Sequence, residues 1–167
     1  MENGEADQSI HIDSSILIGA IDRRNTDVYK ECKKTLERIL RTKKMNPKVI
    51  VRISSIAFGE VLKFILERDI KERERLLTSF YEDIEKLEAE YVETNPRVWE
   101  IALEIYKRDD RIEPADALIV AQALSDECSA HLITRDSIVI SSKKIKEIDE
   151  EMRSREERKR GLKIWSF

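Results

Sequence analysis

The chain has 167 residues, 39% of which are charged, and its 31 Lys and Arg side chains oppose 34 Asp and Glu side chains for a formal net charge of -3. This length is enough to bury one sizeable core and predicts a single domain over residues 1–167. The intermixed charges argue against a protein that coats nucleic acid generally, although they allow a local basic patch beside a site.

Cysteine usage and the apolar content indicate where the protein works. Cys32 and Cys128 have no metal-ligand spacing and are too few for a disulfide scaffold, which favours a reducing compartment. The first residues lack the basic and apolar parts of a signal peptide. No window approaches the roughly 18 apolar residues of a membrane span. We therefore expect a cytoplasmic protein that does not enter a membrane.

Short apolar runs alternate with amphipathic segments along the whole chain. The predicted strands cover residues 10–12, 49–53, 91–93, 131–134 and 162–167. The predicted helices, with apolar residues three or four positions apart, include residues 26–44, 57–65, 70–90, 98–105, 114–126 and 141–160. This alternation predicts an α/β fold in which helices cover both faces of a parallel sheet.

Several boundaries can be read from single residues. A polar leader occupies residues 1–8, Gly19 is expected to end a short apolar turn, and Thr26 is expected to cap the first long helix. Ser54 or Ser55 caps the helix that follows the second strand. We interpret residues 141–160 as a charged, solvent-exposed helical insertion before the last strand, held by ion pairs within the helix.

Four acids stand at comparable places in these elements. Asp13 and Asp136 each follow a predicted strand, whereas Glu60 and Asp116 lie in the first turns of predicted helices. In a parallel sheet the carboxyl ends of the strands and the starts of the following helices share one edge. We therefore expect the four carboxylates to meet at that edge.

Two of these acids lie on apolar stripes. Glu60 is three or four residues from Ala57, Val61 and Phe64, and Asp116 lies similarly above apolar residues of its own helix. A carboxylate facing a core is unfavourable unless it is paired or bound to metal. Clustered carboxylates also raise one another's pKa unless a cation neutralises them. Hard oxygen ligands without His or Cys favour Mg²⁺ or Mn²⁺, which can activate water and stabilise charge on a phosphate.

Each acid taken alone also has a purely structural interpretation. Asp13 could form an Asx turn or a helix cap, Asp116 could interact with its helix dipole, and Asp136 could be an ordinary turn residue. Glu60 is the hardest to explain in this way because it lies within an apolar face. The set of four acids is more specific than any one of its members.

The composition leaves little room for other catalytic designs. The chain has four glycines, too dispersed to build a P-loop or a dinucleotide-binding loop. His11 and His131 lie in predicted apolar strands and beside no Ser or Cys motif, so we interpret both as structural and exclude a nucleophilic triad.

The four acidic segments resemble the PIN-domain ribonucleases, in particular the VapC-like toxins of prokaryotic toxin–antitoxin pairs. The matching segments are residues 10–15 (IHIDSS), 54–62 (SSIAFGEVL), 115–123 (ADALIVAQA) and 132–136 (LITRD). They occur in the order typical of that family and span most of the chain. The resemblance implies a three-layer α/β/α sandwich with a five-stranded parallel sheet.

The resemblance also implies RNA cleavage that depends on Mg²⁺ or Mn²⁺. The implied catalytic, metal-binding acids are Asp13, Glu60, Asp116 and Asp136, with Ser15 or Thr134 in support. A homodimer and a cognate antitoxin are likewise implied by the resemblance alone. Many family members carry a further acid after the fourth motif; its absence from this motif bears on whether a second metal position exists.

Two other functions remain open at this stage. The protein could be a PIN-like nuclease that processes RNA during maturation, or a non-catalytic PIN-like module for assembly or RNA binding. Arg135, Arg23 and Arg24 could hold RNA phosphates near the acidic edge, and Arg135 is the best placed of the three. A solvated surface charge is the alternative interpretation of each.

Overall fold

The computed structural model describes residues 7–166 and arranges them as five strands and eight helices. The strands are β1 (Gln8–Ile12), β2 (Val49–Ser54), β3 (Glu90–Val92), β4 (Ser129–Ile133) and β5 (Lys163–Trp165). The first four helices are α1 (Ser14–Ile21), α2 (Thr26–Met45), α3 (Ser55–Leu66) and α4 (Ile70–Leu87). The others are α5 (Pro96–Arg108), α6 (Pro114–Ser125), α7 (Ser137–Ser141) and α8 (Lys143–Ser154).

All strand pairings in residues 7–166 are parallel, in the order β3-β2-β1-β4-β5. The chain first builds outward from β1 to β3 and then returns to the other side of β1, so the direction reverses between β1 and β4. Right-handed crossovers place α1 to α4 on one face and α5 to α8 on the other. The packing agrees, since α2 and α4 contact each other and α5 contacts both α6 and α8. The predicted α/β fold with a five-stranded parallel sheet is confirmed.

The central strands are buried because helices cover both faces of the sheet. Ile10 and Ile12 of β1, Val51 of β2 and Leu132 of β4 are all buried. Continuous apolar runs of this kind are typical of parallel strands in the middle of a sheet. In the parallel pair of β1 and β2, Ile10 lies beside Val51. Both strands therefore end at the same edge of the sheet, where Asp13 lies.

Four predicted boundaries are corrected or resolved. Gly19 does not end α1, which continues to Ile21. It lies inside the helix, where the lack of a side chain lets α1 pack closely against Cys32 of α2. The cap of α2 is Asn25 instead of Thr26, since the Asn25 side chain accepts a hydrogen bond from the backbone N–H of Val28. The Ser54 side chain caps α3. Of the predicted leader over residues 1–8, Gln8 belongs to β1, and residues 1–6 lie outside the described part of the chain.

The charged segment over residues 141–160 differs from the expected exposed helix. Helix α8 ends at Ser154, and its face toward the core buries Ile145, Ile148 and Met152. The local sequence is dominated by charges, but these three residues recur at helical spacing and pack against the core cluster. The prediction of a solvent-exposed helix is therefore wrong for one face of α8.

Arg158 is the least expected feature of this segment. Its side chain is fully buried and donates hydrogen bonds to backbone carbonyl oxygens of Ala123, Leu124, Asp126 and Ser129. Its Nε lies 2.8 Å from a carboxylate oxygen of Asp149. Carbonyls at the end of a helix have no partner within the helix, so Arg158 supplies the donors that close α6 and start β4.

No helix in residues 7–166 is long and apolar enough to cross a bilayer.

The two helix-interior glycines Gly19 and Gly59 give a matched test of the packing. A methyl group on Gly19 would lie 2.4 Å from Cys32 Sγ, whereas one on Gly59 would have no neighbour within 4 Å. We expect Gly19→Ala to lower the free energy of unfolding by about 1–3 kcal/mol through overpacking. Gly59→Ala should raise it by about 0.5–1 kcal/mol because alanine favours a helix. Urea unfolding measures both.

The expected destabilisation comes from the close approach of the new methyl group to the Cys32 sulfur atom. The double variant Gly19→Ala/Cys32→Ala should therefore recover part of the lost free energy of unfolding. Equal free energies of unfolding for the two glycine variants would contradict this account of α1–α2 packing.

Candidate active site

Asp13 lies where the order of the strands reverses. It follows β1, beside the end of β4, and is 3% exposed. As the N-cap of α1 it accepts a hydrogen bond from the backbone N–H of Ser15 at 3.4 Å. The hydroxyls of Ser15 and Thr134 also donate to it, the latter at 2.7 Å. Three donors from two elements therefore fix one carboxylate at the point where ligands bind in open α/β sheets.

Glu60 reaches the same point from α3, where it lies in the second turn and not the first. The Ser14 hydroxyl donates to a Glu60 carboxylate oxygen at 2.6 Å and lies 3.3 Å from an oxygen of Asp13. Burial raises the pKa of Glu60, the Ser14 hydrogen bond lowers it, and the charges of Asp13 and Glu113 raise it further. Ser14 thus bridges two acids whose charges repel.

Asp116 carries the largest electrostatic perturbation of the four. It lies in the first turn of α6, and burial together with the charges of Asp13, Asp136 and Glu60 raises its pKa to about 7. Asp13 and Asp116 line one narrow cleft. A carboxyl group whose pKa is near neutrality and whose neighbours are acidic is a common feature of functional sites.

Asp136 combines a structural role with a place in the cluster. One of its oxygens caps α7 by accepting the backbone N–H groups of Ile138 and Val139 at 2.7 Å and 3.1 Å. Its own N–H donates to the Thr134 hydroxyl at 3.0 Å. The cap uses only Oδ1, and the charge of Asp136 still acts on Asp116. The structural interpretation of Asp13 as a helix cap is therefore correct, whereas Asp136 is the cap of α7 and not an ordinary turn residue. Neither role uses all the oxygens of its carboxylate.

The structure brings the four predicted acids together and adds two residues that sequence reasoning missed. Ser14 directly follows Asp13, and its role depends on Glu60, which is 46 residues away in sequence. Glu113 is the N-cap residue of α6, its side chain makes no capping hydrogen bond, and its charge raises the pKa of both Glu60 and Asp116. Glu113 lies three residues before Asp116, and residues at this spacing are neighbours on a helix. This spacing is the feature of the sequence that predicts its closeness to the site.

The three predicted RNA-binding arginines occupy different surroundings. The backbone N–H of Arg135 donates to the Ser15 hydroxyl at 3.0 Å, which places this exposed residue at the acidic rim. Arg24 is paired with Asp22, with nitrogen–oxygen distances of 2.8 Å and 2.6 Å. Arg23 lies with its guanidinium 5.6 Å from the Tyr29 ring, in the loop between α1 and α2. Contact with RNA stays a prediction for all three, and Arg24 is the one whose charge is already balanced.

Comparison with known families assigns the fold. The family model described as the PIN domain matches residues 10–145. The chain belongs to the PIN domain family. PIN domains are generally nucleases, and the matched range contains all four acids.

The PIN domain is also similar to solved toxin–antitoxin structures. VapBC2 from Rickettsia felis, solved with a DNA fragment from its promoter, has a TM-score of 0.64 and 15% identity over 96% of this chain and 99% of that one. DNA-bound VapBC from Salmonella typhimurium has a TM-score of 0.57 and 18% identity over 95% of this chain and 98% of that one. FitAcB from Neisseria gonorrhoeae has a TM-score of 0.56 and 18% identity over 77% of this chain and 88% of that one. At these identities the likeness shows the fold alone. A search of curated proteins gave no match.

The donor chemistry of the PIN domain acids fits a divalent cation. In residues 7–166 no three Asp, Glu, His or Cys side chains form a ready-made metal cage. The cluster nevertheless offers only carboxylate and hydroxyl oxygens, which are the donors that Mg²⁺ and Mn²⁺ prefer. Burial raises the pKa values of Glu60 and Asp116 most, and neighbouring acids raise them further; a bound cation would relieve this repulsion.

Asp116→Asn is expected to stabilise the metal-free protein, increasingly so as the pH rises. The folded pKa of Asp116 is about 7, above the ordinary 3.8, so the folded state keeps a proton that the unfolded state loses. Stability should therefore fall between these two values as the pH rises, and the asparagine variant escapes this loss. After allowance for solvent screening we expect a gain of about 1 kcal/mol at about pH 8.

Urea unfolding in EDTA at about pH 5 and about pH 8 measures this difference. Asp110→Asn, which removes an exposed carboxylate from the loop before α6, is the matched control and should be neutral. A gain of the same size at both pH values would mean that the Asp116 charge does not oppose folding.

Proposed function

We propose that this PIN domain is a metal-dependent endoribonuclease that cleaves RNA phosphodiester bonds in the cytoplasm and acts as the toxin of a toxin–antitoxin pair. The observation that carries the proposal is the convergence of four acids, with the pKa of Asp116 raised to about 7 by burial and by the charges of the others. A structural role does not require this repulsion, and a divalent cation would remove it.

Asp13, Glu60, Asp116 and Asp136 are the residues that would hold Mg²⁺ or Mn²⁺. When bound, the metal would lower the pKa of a coordinated water and neutralise charge on the phosphate. Ser15 and Thr134 orient Asp13 by hydrogen bonds, and Ser14 holds Glu60 toward Asp13. Partners of this kind fix the orientation of carboxylate ligands.

RNA as the substrate is supported by the family resemblance and by a basic side chain at the edge of the acid cluster. Arg135 is exposed beside the acids, where its guanidinium can pair with a phosphate as the strand enters. Contacts of this kind position a nucleic acid without reading its sequence. The target sequence therefore depends on other contacts.

A cognate antitoxin is the partner that the structural neighbours favour. The solved structures from Rickettsia felis and Salmonella typhimurium are VapBC toxin–antitoxin complexes. We propose that this chain has such a partner, encoded by a small reading frame just upstream of its gene. Inhibition of RNA cleavage by that product would distinguish a toxin from a nuclease of RNA maturation.

An apolar patch on α5 supports a homodimer. Trp99, Leu103 and Tyr106 lie on successive turns and are 52%, 57% and 46% exposed. They line a shallow depression with Pro114 and Leu118. A contiguous apolar surface is unusual on a chain with 39% charged residues, and a two-fold contact between copies would cover both patches at once.

Cleavage of a mixed RNA panel tests the proposed activity. With Mn²⁺ or Mg²⁺ we expect cutting that EDTA abolishes and that Asp116→Asn reduces to background, because the cluster loses a ligand. Asp110→Asn should cut at the wild-type rate. Ser14→Ala should lose about 10–100-fold, as for other residues that orient metal ligands.

Equal cutting by the wild type and Asp116→Asn would identify a contaminating nuclease. Calorimetric titration with Mn²⁺ separates the remaining cases. Metal binding without cutting would favour a highly selective enzyme, whereas no binding at all would leave a non-catalytic PIN-like module.

The dimer is tested by placing a charge on the apolar patch. We expect Leu103→Glu to convert a dimer into a monomer, since a buried carboxylate at a two-fold contact would face its own copy. Leu66→Glu is the matched control, because Leu66 is 61% exposed and does not line the patch. Light scattering after size exclusion measures the mass. Monomeric wild-type protein at micromolar concentration would contradict the proposal.

A further inference from the structure

A second concave surface lies at the opposite end of the sheet from the acids. It is a cavity of about 750 Å³ bounded by Gln8 at the start of β1, Ala130 near the start of β4 and Lys163 at the start of β5. Helix α8 forms its outer wall. Strands rise about 3.3 Å per residue, so Gln8, which lines this cavity, lies roughly 15 Å along β1 from Asp13.

Basic side chains dominate the wall of this cavity. The basic residues are Lys146, Arg153, Arg160 and Lys163, and the acidic ones are Asp149 and Glu150. Asp149 is already engaged, because it lies 2.8 Å from Nε of the buried Arg158 and 3.3 Å from Nε of Arg153, and it accepts the backbone N–H of Leu162. Four basic side chains face two acidic ones, so the wall is positive on a chain whose net charge is -3.

His131 adds a neutral hydrogen-bond donor to the same wall. Its Nδ1 accepts a hydrogen bond from Nε1 of Trp165 at 3.0 Å, so the neutral ring carries its proton on Nε2. Burial lowers the pKa of His131, and the charges of Lys163 and Arg160 lower it further. Positive charge from two cavity residues thus already converges on this ring.

We propose that this cavity binds a phosphate group. Ammonium and guanidinium groups from α8 and from the lead into β5 line one open concavity, and both are strong donors to phosphate oxygens. The phosphate belongs either to the backbone of an RNA strand or to a free nucleotide. The site shares no residue with the acid cluster, so it does not rest on the proposed nuclease activity.

Proton NMR of the histidines tests the proposal on the intact chain. His11 and His131 are the two histidines, and His11 is 2% exposed at a hydrogen bond to Asp126. Bound pyrophosphate is expected to raise the pKa of His131 by about 1, because it opposes the surrounding positive charge. EDTA keeps divalent metal out of the acid cluster. A His131→Gln variant assigns the resonance.

Charge-neutralising variants locate the binding. Lys146→Gln/Lys163→Gln should weaken pyrophosphate binding at least about tenfold, since both exposed lysines line the cavity. The matched control, Lys107→Gln/Lys143→Gln, removes two exposed lysines outside it and should bind as the wild type does.

Three probes distinguish the sources of phosphate: pyrophosphate, AMP and a short single-stranded RNA. Tighter binding of RNA than of AMP identifies a backbone contact, and the reverse order identifies a nucleotide site. An unchanged His131 pKa with all three probes up to about 10 mM would overturn the proposal. Equal loss of binding in the cavity and control variants would overturn it as well.

Discussion

Repulsion among carboxylates is the constraint around which this PIN domain is arranged. Asp13 and Asp116 line one narrow cleft, and the pKa of Asp116 rises to about 7 partly because its neighbours are charged. Isolated side chains would turn away from one another toward water. The acids stay together because the end of β1 and the helices α3 and α6 fix their backbones. Ser14 also donates a hydrogen bond to Glu60, and Thr134 donates one to Asp13. The fold thus holds mutually repelling carboxylates at one edge, at a cost in stability. Functional sites often reduce the stability of a protein in this way.

That edge depends on the opposite end of the molecule. Helix α6 carries Asp116 in its first turn, and the carbonyls at its last turn are bonded by the buried guanidinium of Arg158. Arg158 is in turn paired with Asp149 of α8. The charged segment before β5 is therefore bonded to the end of the helix that carries Asp116 at its start.

Sequence pattern predicted those features that depend on local periodicity. Asp13 and Asp136 could be placed because each follows an apolar strand, and the parallel sheet then required their approach. The bridge from Ser14 to Glu60 could not be predicted, since it joins residues 46 apart and depends on two side-chain conformations. The burial of Arg158 could not be predicted either, because its neighbours in sequence are mostly charged. The carbonyl groups that it contacts lie about 30 residues earlier in the chain.

The proposed RNA substrate is a polyanion, and this chain carries a net negative charge. Metal-free carboxylates repel RNA, so under this proposal the attraction must come from basic groups such as Arg135 beside the acids and those of the cavity beside β5. The cavity opens at the starts of β1 and β4 and the acids lie at the opposite edge of the sheet, while charges in physiological salt are screened over about 8 Å. A ligand long enough to touch both ends would couple them by occupying two sites at once, and a mononucleotide would leave them independent.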